Sequence, residues 1–155
     1  MNQQLIKFLT HTLESYHTWT GRHWPSKGAS GSDEWIQSIL TSPSVLVCHD
    51  TSEDPIFKFG NQIALDLFEM DFETFTTLPS RKSAEPMLRE ERDHLIQSVR
   101  KNGYTDSYQG IRISSTGKRF HIPQATVWNV VDENQNYLGQ AATFSEWKFL
   151  QQSFN

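Results

Sequence analysis

The sequence predicts an α+β domain: an N-terminal helical cap, then one five-stranded antiparallel sheet with a long helix across its face. Three observations predict it. Residues 54–69 read strand, Gly60, Asn61 and amphipathic helix within one short stretch. From Tyr104 onward three runs of alternating apolar residues are separated by turn-forming clusters at 114–117 and 132–136. Between these β regions lies the longest central helical pattern, closed by Gly103 after Lys101 and Asn102.

In chain order, Leu5, Leu9, Leu13 and Tyr16 form a stripe at helical spacing, which predicts a helix over 3–20. Residues 21–31 hold three Gly, one Pro and two Ser and form a loop. Ser32 caps a second short helix, with Asp33 and Glu34 in its first turn and Trp35, Ile36, Ile39 and Leu40 behind them; Pro43 ends it. Val45–His49 is a buried strand and 50–55 a turn. Ile56–Phe59 is the next strand. Gly60 lets the backbone turn, and Asn61 is placed as the N-cap of a helix carrying Ile63, Ala64, Leu67 and Phe68. A short helix capped by Asp71 follows and breaks at Pro79 and Ser80. Glu85 and Pro86 open the long helix, with Pro86 at its first position. Leu88, Leu95, Ile96 and Val99 face inward, with Met87 flanking, and residues 89–93 form a solvated charged face holding an Arg89–Asp93 pair. Strands follow over 104–113, 119–132 and 137–149. The middle one has Phe120, Ile122, Thr126, Trp128 and Val130 on one face, and Pro123 demands a bulge, bend or outward edge.

Composition narrows the function. A chain of 155 residues, 36% hydrophobic and 21% charged, supports one folded domain with a real core. A net charge of −4 argues against direct nucleic-acid binding, which needs a basic face. The single cysteine, Cys48, allows no intramolecular disulfide and no multi-cysteine metal site. No apolar run reaches the ~20 residues of a membrane span, and the N-terminus does not read as a signal peptide. The expected location is the cytoplasm. No metal or cofactor motif is present, so none is expected. No phosphate loop, Gly-x-Ser-x-Gly or His-Glu-x-x-His occurs either.

The order of elements is that of a PAS-type domain, and many short stretches in the right order resemble the MEKHLA domain, a PAS-like family. Among them are Asp54-Pro55-Ile56-Phe57, Gly60-Asn61, Leu67-Phe68-Glu69, Ser83-Ala84-Glu85-Pro86, Arg89-Glu90-Glu91-Arg92, Gly110-Ile111-Arg112-Ile113-Ser114, Val127-Trp128-Asn129 and Gly139-Gln140-Ala141-Ala142. The resemblance runs from about residue 33 to Trp147. It is to the stand-alone bacterial type of a family that also ends plant homeodomain–leucine zipper factors. It implies a PAS-like five-stranded antiparallel sheet with helices on one face and an N-terminal cap. The expected division is a helix and loop over 1–31 and the PAS-like unit over 32–155, one domain overall.

The resemblance places a pocket between sheet and helices, and the residues offer candidates for it. Gln124 and Gln140 share sheet faces with apolar neighbours. They either address a small ligand together with Trp128 or pair in the core to fix register. Arg81, in the polar loop before the long helix, either grips an anionic group or pairs with a neighbouring acid. His49, at a strand end beside Asp50, is a candidate base, pH-sensitive group or cap. Asn61 completes the candidate ligand-binding set, although it reads first as a cap. His94 lies beside the charged helix face and carries no haem motif. Cys48, inside a strand, reads as a small hydrophobe.

No catalytic constellation emerges. The expected role is a non-enzymatic PAS-like sensory or interaction module in signalling or regulation. It would bind a small molecule or a protein partner, with the N-terminal stripe docking on its own domain or on a second copy as a homodimer. Two alternatives stay open. One is a small enzyme with a cone-like α+β pocket using His49 or Asp54 as base. The other is a structural interaction domain whose core is filled and whose Gln124 and Gln140 are fully satisfied.

Overall fold

The computed structural model describes residues 1–85 and 88–151. Helices α1 (Gln3–Thr20) and α2 (Asp33–Leu40) precede strands β1 (Val45–His49) and β2 (Phe57–Gly60). Helices α3 (Gln62–Phe68) and α4 (Phe72–Phe75), a 3-10 turn (Ser80–Ser83) and α5 (Arg89–Asn102) lead to β3 (Tyr104–Ile113), β4 (Arg119–Val131), β5 (Tyr137–Phe144) and β6 (Lys148–Phe149). The strands pair antiparallel in the order β2-β1-β5-β4-β3, with β6 also on β4. The final strand expected over 137–149 thus exists as two pieces, interrupted at Ser145–Trp147.

The sheet is covered on both faces. One core joins Phe8, Leu9 and Tyr16 of α1 and Trp35 and Ile39 of α2 to Leu46, Cys48, Trp128 and Val130. The other joins Ala64, Leu65, Leu67 and Phe68 of α3 and Phe75 of α4 to Val45, Val47, Phe57, Phe120, Ile122 and Phe144. Burial from both sides explains why β1 is apolar at successive positions rather than alternating. The Leu5–Leu9–Leu13 stripe is used on the chain's own sheet. Polar bonds fix α1 there: the Trp128 indole donates to the Thr12 carbonyl (3.0 Å) and the Trp19 indole to the Asn129 carbonyl (2.9 Å). The 21–31 loop is anchored too, because Trp24 is buried and its indole donates to Thr143 Oγ1 at 2.9 Å.

Four local expectations are corrected. First, Asn61 does not cap α3 with its side chain. It is fully buried; its Oδ1 accepts from Leu46 N (3.1 Å) and its Nδ2 donates to the carbonyls of Ile39 (3.1 Å) and Ser44 (2.8 Å). The amide therefore joins the end of α2, β1 and the start of α3. Second, β4 does not keep one face. Phe120 and Ile122 face α3 and α4, whereas Trp128 faces α1. The phase changes around Pro123 and Gln124, opposite irregular pairing between Thr105 and Gly110. One residue out of phase turns every later side chain to the other face.

Third, α5 begins at Arg89, so Glu85 is not its first turn; Pro86 and Met87 lie outside the described residues. Fourth, the charged face of α5 is not all solvated. Arg92 is 5% exposed and pairs with the adjacent Asp93 (2.8 Å), while Arg89 Nε donates to the Ala84 carbonyl (3.3 Å).

Candidate functional site

The strand pairing puts His49 opposite Gln140, and Gln140 opposite Asn129. These three polar residues stand on the sheet face that α5 covers. A cavity of about 80 Å³ lies between that face, α5 and the 3-10 turn. Val47, Phe57, Ile122 and Phe144 supply sheet-side apolar walls, with Leu95 and Ile96 from α5. Arg92, Tyr108, Arg112, Ser80, Ser83, His49 and Gln140 supply polar atoms.

Gln140 is 1% exposed. Its Nε2 donates to the Ile96 carbonyl (2.9 Å) and to Asn129 Oδ1 (3.2 Å). Asn129 is oriented in turn by donating Nδ2 to the carbonyls of Val99 (3.0 Å) and Arg100 (3.2 Å). Every partner of the two Nδ2/Nε2 groups is an acceptor, so neither amide can be reversed without setting oxygen against oxygen. Gln140 Oε1 is left buried with no partner in the protein. An unpaired buried acceptor is costly, about 1–3 kcal/mol, and native interiors rarely leave one.

His49 Nδ1 lies 3.1 Å from the Asp50 carbonyl. A carbonyl only accepts, so in the tautomer with its proton on Nδ1 the ring donates to Asp50, and Nε2 is then an acceptor. Burial holds the His49 imidazole below its ordinary proton affinity of 6.5, against the opposing pull of the Asp50 carbonyl. The unfolded chain takes up this proton first as pH falls, so folding stability declines below about pH 6.5 and the loss grows until the folded ring protonates. The carboxylates held low by hydrogen bonds, Asp106 and Asp132 among them, lose their contribution only in more acidic solution. Urea titrations across pH 7 to about 5 should show this slope in the wild type and a shallower one in His49→Gln; equal slopes would remove His49 as the cause.

Arg92 Nη2 donates to Ser80 Oγ and Nη1 to Asp93 Oδ1 (2.8 Å). Ser83 Oγ donates to the Ser80 carbonyl (2.7 Å), which fixes the turn beneath the guanidinium. Burial, and the like charge of Arg112, weaken the hold of Arg92 on its proton. Arg112 lies 5.3 Å from the centre of the Tyr108 ring. Sequence reasoning missed both arginines. In the sequence Arg92 stands in a run of charged helix residues and Arg112 in a strand; the one signal is an arginine three positions before the inward-facing Leu95 on α5.

The other candidates lie elsewhere. Gln124 is exposed and donates to the Asp106 carbonyl (3.2 Å), outside the cavity, because the phase change turns it outward. Trp128 packs edge-on to Tyr16 on the opposite face. Arg81 pairs with Asp54 at the surface (3.0 Å), so neither reaches the cavity. Asn61 is enclosed among backbone groups. The expected set of Gln124, Trp128, Gln140, Asn61, Arg81 and His49 is thus reduced at the cavity to Gln140 and His49. Cys48 contributes to the wall between the cores, and burial pushes its thiol up to about 12, which leaves it protonated and unreactive. Among the described residues no group of His, Cys, Asp and Glu could hold a metal ion.

The MEKHLA domain model matches residues 6–149. The chain belongs to the MEKHLA domain family. The match begins within α1, well ahead of residue 33, so the family unit includes the helix that covers the far face of the sheet. Among curated relatives, the Homeobox-leucine zipper protein ATHB-9 of Arabidopsis thaliana is 26% identical over 148 residues, covering 94% of this chain and 18% of that protein. Homeobox-leucine zipper protein HOX10 of Oryza sativa subsp. indica is 23% identical over 137 residues, covering 88% of this chain and 16% of that protein. This MEKHLA chain spans less than a fifth of the length of these relatives. Among solved structures, a PAS domain from Colwellia psychrerythraea aligns with a TM-score of 0.61 at 16% identity, over 70% of this chain and 89% of that one. The light-state dimer of the fungal blue-light photoreceptor Vivid aligns with a TM-score of 0.60 at 11% identity, over 87% and 91%. These likenesses show a PAS-like fold. No helix among the described residues is long and apolar enough to cross a membrane.

Proposed function

We propose that this MEKHLA domain is a non-catalytic sensory module of the cytoplasm that holds a small molecule in the cavity between α5 and the sheet. The orphaned Oε1 of Gln140 carries the reading, since a filled structural core would have satisfied it. The cavity is small beside the ~300–1,000 Å³ of drug-sized sites, which favours a compact ligand over a flavin or haem. Occupancy would be read through Asn129. That residue receives the Gln140 amide, grips the last turn of α5 and offers its carbonyl to Trp19 of α1. The cap over 1–31 would then pass the change to a protein partner or a second copy. His49 keeps a catalytic alternative in view, being a neutral base at a cavity wall, but no carboxylate among the described lining residues orients it.

Mass spectrometry of molecules released on denaturing the purified protein tests the reading. The wild type is expected to release a small molecule in near-stoichiometric amount. Ala142→Leu, which fills the cavity from β5, should keep the circular dichroism spectrum and release at least tenfold less. Release from neither, with hydrogen exchange in α1 unchanged by added metabolite extract, would refute it.

A further inference from the structure

We propose that the cavity selects a short carboxylate that also carries a hydrogen-bond donor, such as a 2-hydroxy acid. The inference rests on the cavity-binding reading above and specifies the ligand. Two sets of polar groups in its lining define it. The first is Arg92 and Arg112, and no Asp or Glu is among the described lining residues. Among the described residues Arg92 has one carboxylate partner, Asp93, which is 61% exposed. Asp54, drawn to Arg81, acts on Arg92 only at longer range. Both guanidiniums line one cavity that holds no described carboxylate, so an anion is favoured there, and a planar carboxylate matches a guanidinium fork.

The second set is two acceptors. Gln140 Oε1 has no donor, and the neutral His49 ring, its proton committed to Asp50, has only an acceptor left to offer. The two side chains are near enough for His49 to bond Gln140 once protonated. A ligand hydroxyl or ammonium supplies the missing donor while leaving the ring neutral. Much of the remaining lining is apolar, which suits a short carbon body better than an inorganic anion.

Size and access agree. The cavity has the liquid volume of roughly three waters. It adjoins an outer crevice of about 240 Å³ between α5 and β3 that shares Arg92, Tyr108 and Arg112. Glu91 lines that outer crevice and is not among the described lining residues of the inner cavity. Arg112 donates one bond to the neighbouring Ile111 carbonyl (3.2 Å) and is only partly buried, so it can be altered with little risk to the fold.

Isothermal titration calorimetry with four probes tests the assignment: lactate, its neutral isostere lactamide, propionate, which lacks the donor, and inorganic phosphate. The expected order is lactate tightest, with lactamide and phosphate at least tenfold weaker and propionate several-fold weaker. Arg112→Gln should keep its circular dichroism spectrum and lose the preference for lactate over lactamide. Lactamide binding as tightly as lactate would overturn the carboxylate assignment and leave the cavity reading standing. Phosphate binding as tightly as lactate would overturn the organic acid. Propionate matching lactate would overturn the donor requirement. Heat with none of the four overturns the whole assignment, and the released-molecule measurement then decides separately whether the cavity holds another ligand.

Discussion

Gly139→Ala is expected to lower the free energy of unfolding by about 4 kcal/mol, close to the margin of many single domains. Gly139 has φ +145°, a region L-residues scarcely visit, and a methyl group there would lie 2.0 Å from the His49 carbonyl oxygen. That oxygen belongs to backbone, so it cannot swing aside. The close approach occurs where β1 is irregular between Cys48 and His49 and β4 is irregular between Val130 and Val131. Backbone strain contributes about 1–3 kcal/mol and the forced separation of strands a similar amount. Because the wedge acts beside His49 and Gln140, any ligand held in the cavity should be lost at temperatures where the variant is still folded. Gly117→Ala is the control. Its φ is also positive, at +87°, but nothing lies within 4 Å, so the cost should stay near 1 kcal/mol. Chemical denaturation of the two variants decides the matter; equal midpoints would show that the contact at Gly139 relaxes freely.

Asn61→Ala should cost about 3 kcal/mol, because it removes three hydrogen bonds to backbone groups in or beside the core, the Leu46 N–H among them. A helix cap alone would be worth about 1 kcal/mol. Asn61→Asp separates the two roles. Aspartate caps helices as well as asparagine does, so a capping residue would tolerate the change. Here Nδ2 is the donor to Ile39 and Ser44, and an aspartate oxygen in its place would face two carbonyls. The aspartate variant should therefore be at least as unstable as the alanine one near neutral pH. An Asn61→Asp protein with wild-type stability would return the residue to the status of a cap.

The sequence was a good guide to elements and a poor one to site chemistry. The Ser32 and Asp71 caps and the Gly103 stop all have partners within a few residues, and the stripe of α1 repeats at a period set within the helix itself. Gln140 reads as a buried amide from the apolar residues around it, although a shift in the pairing with β4 puts Leu138 on the α1 side and Ala142 on the other. Gln124 misled because the same alternation rule was carried through Pro123, where pairing with β3 is irregular. Arg92 misled for a related reason. Five charged residues in succession on a helix read as surface, yet the helix turns one of them inward onto Ser80, twelve positions earlier.

Local patterning determined the order of elements, and through it the PAS-like sheet, because periodicity and capping are short-range properties of the chain. Tertiary structure decided the site. The phase of β4, the convergence of Arg92 and Arg112, and the unpaired oxygen of Gln140 each depend on residues distant in sequence. The Asn61 amide makes the same point: its capping position is visible in the chain, but the three backbone groups it holds come within reach only when α2, β1 and α3 meet.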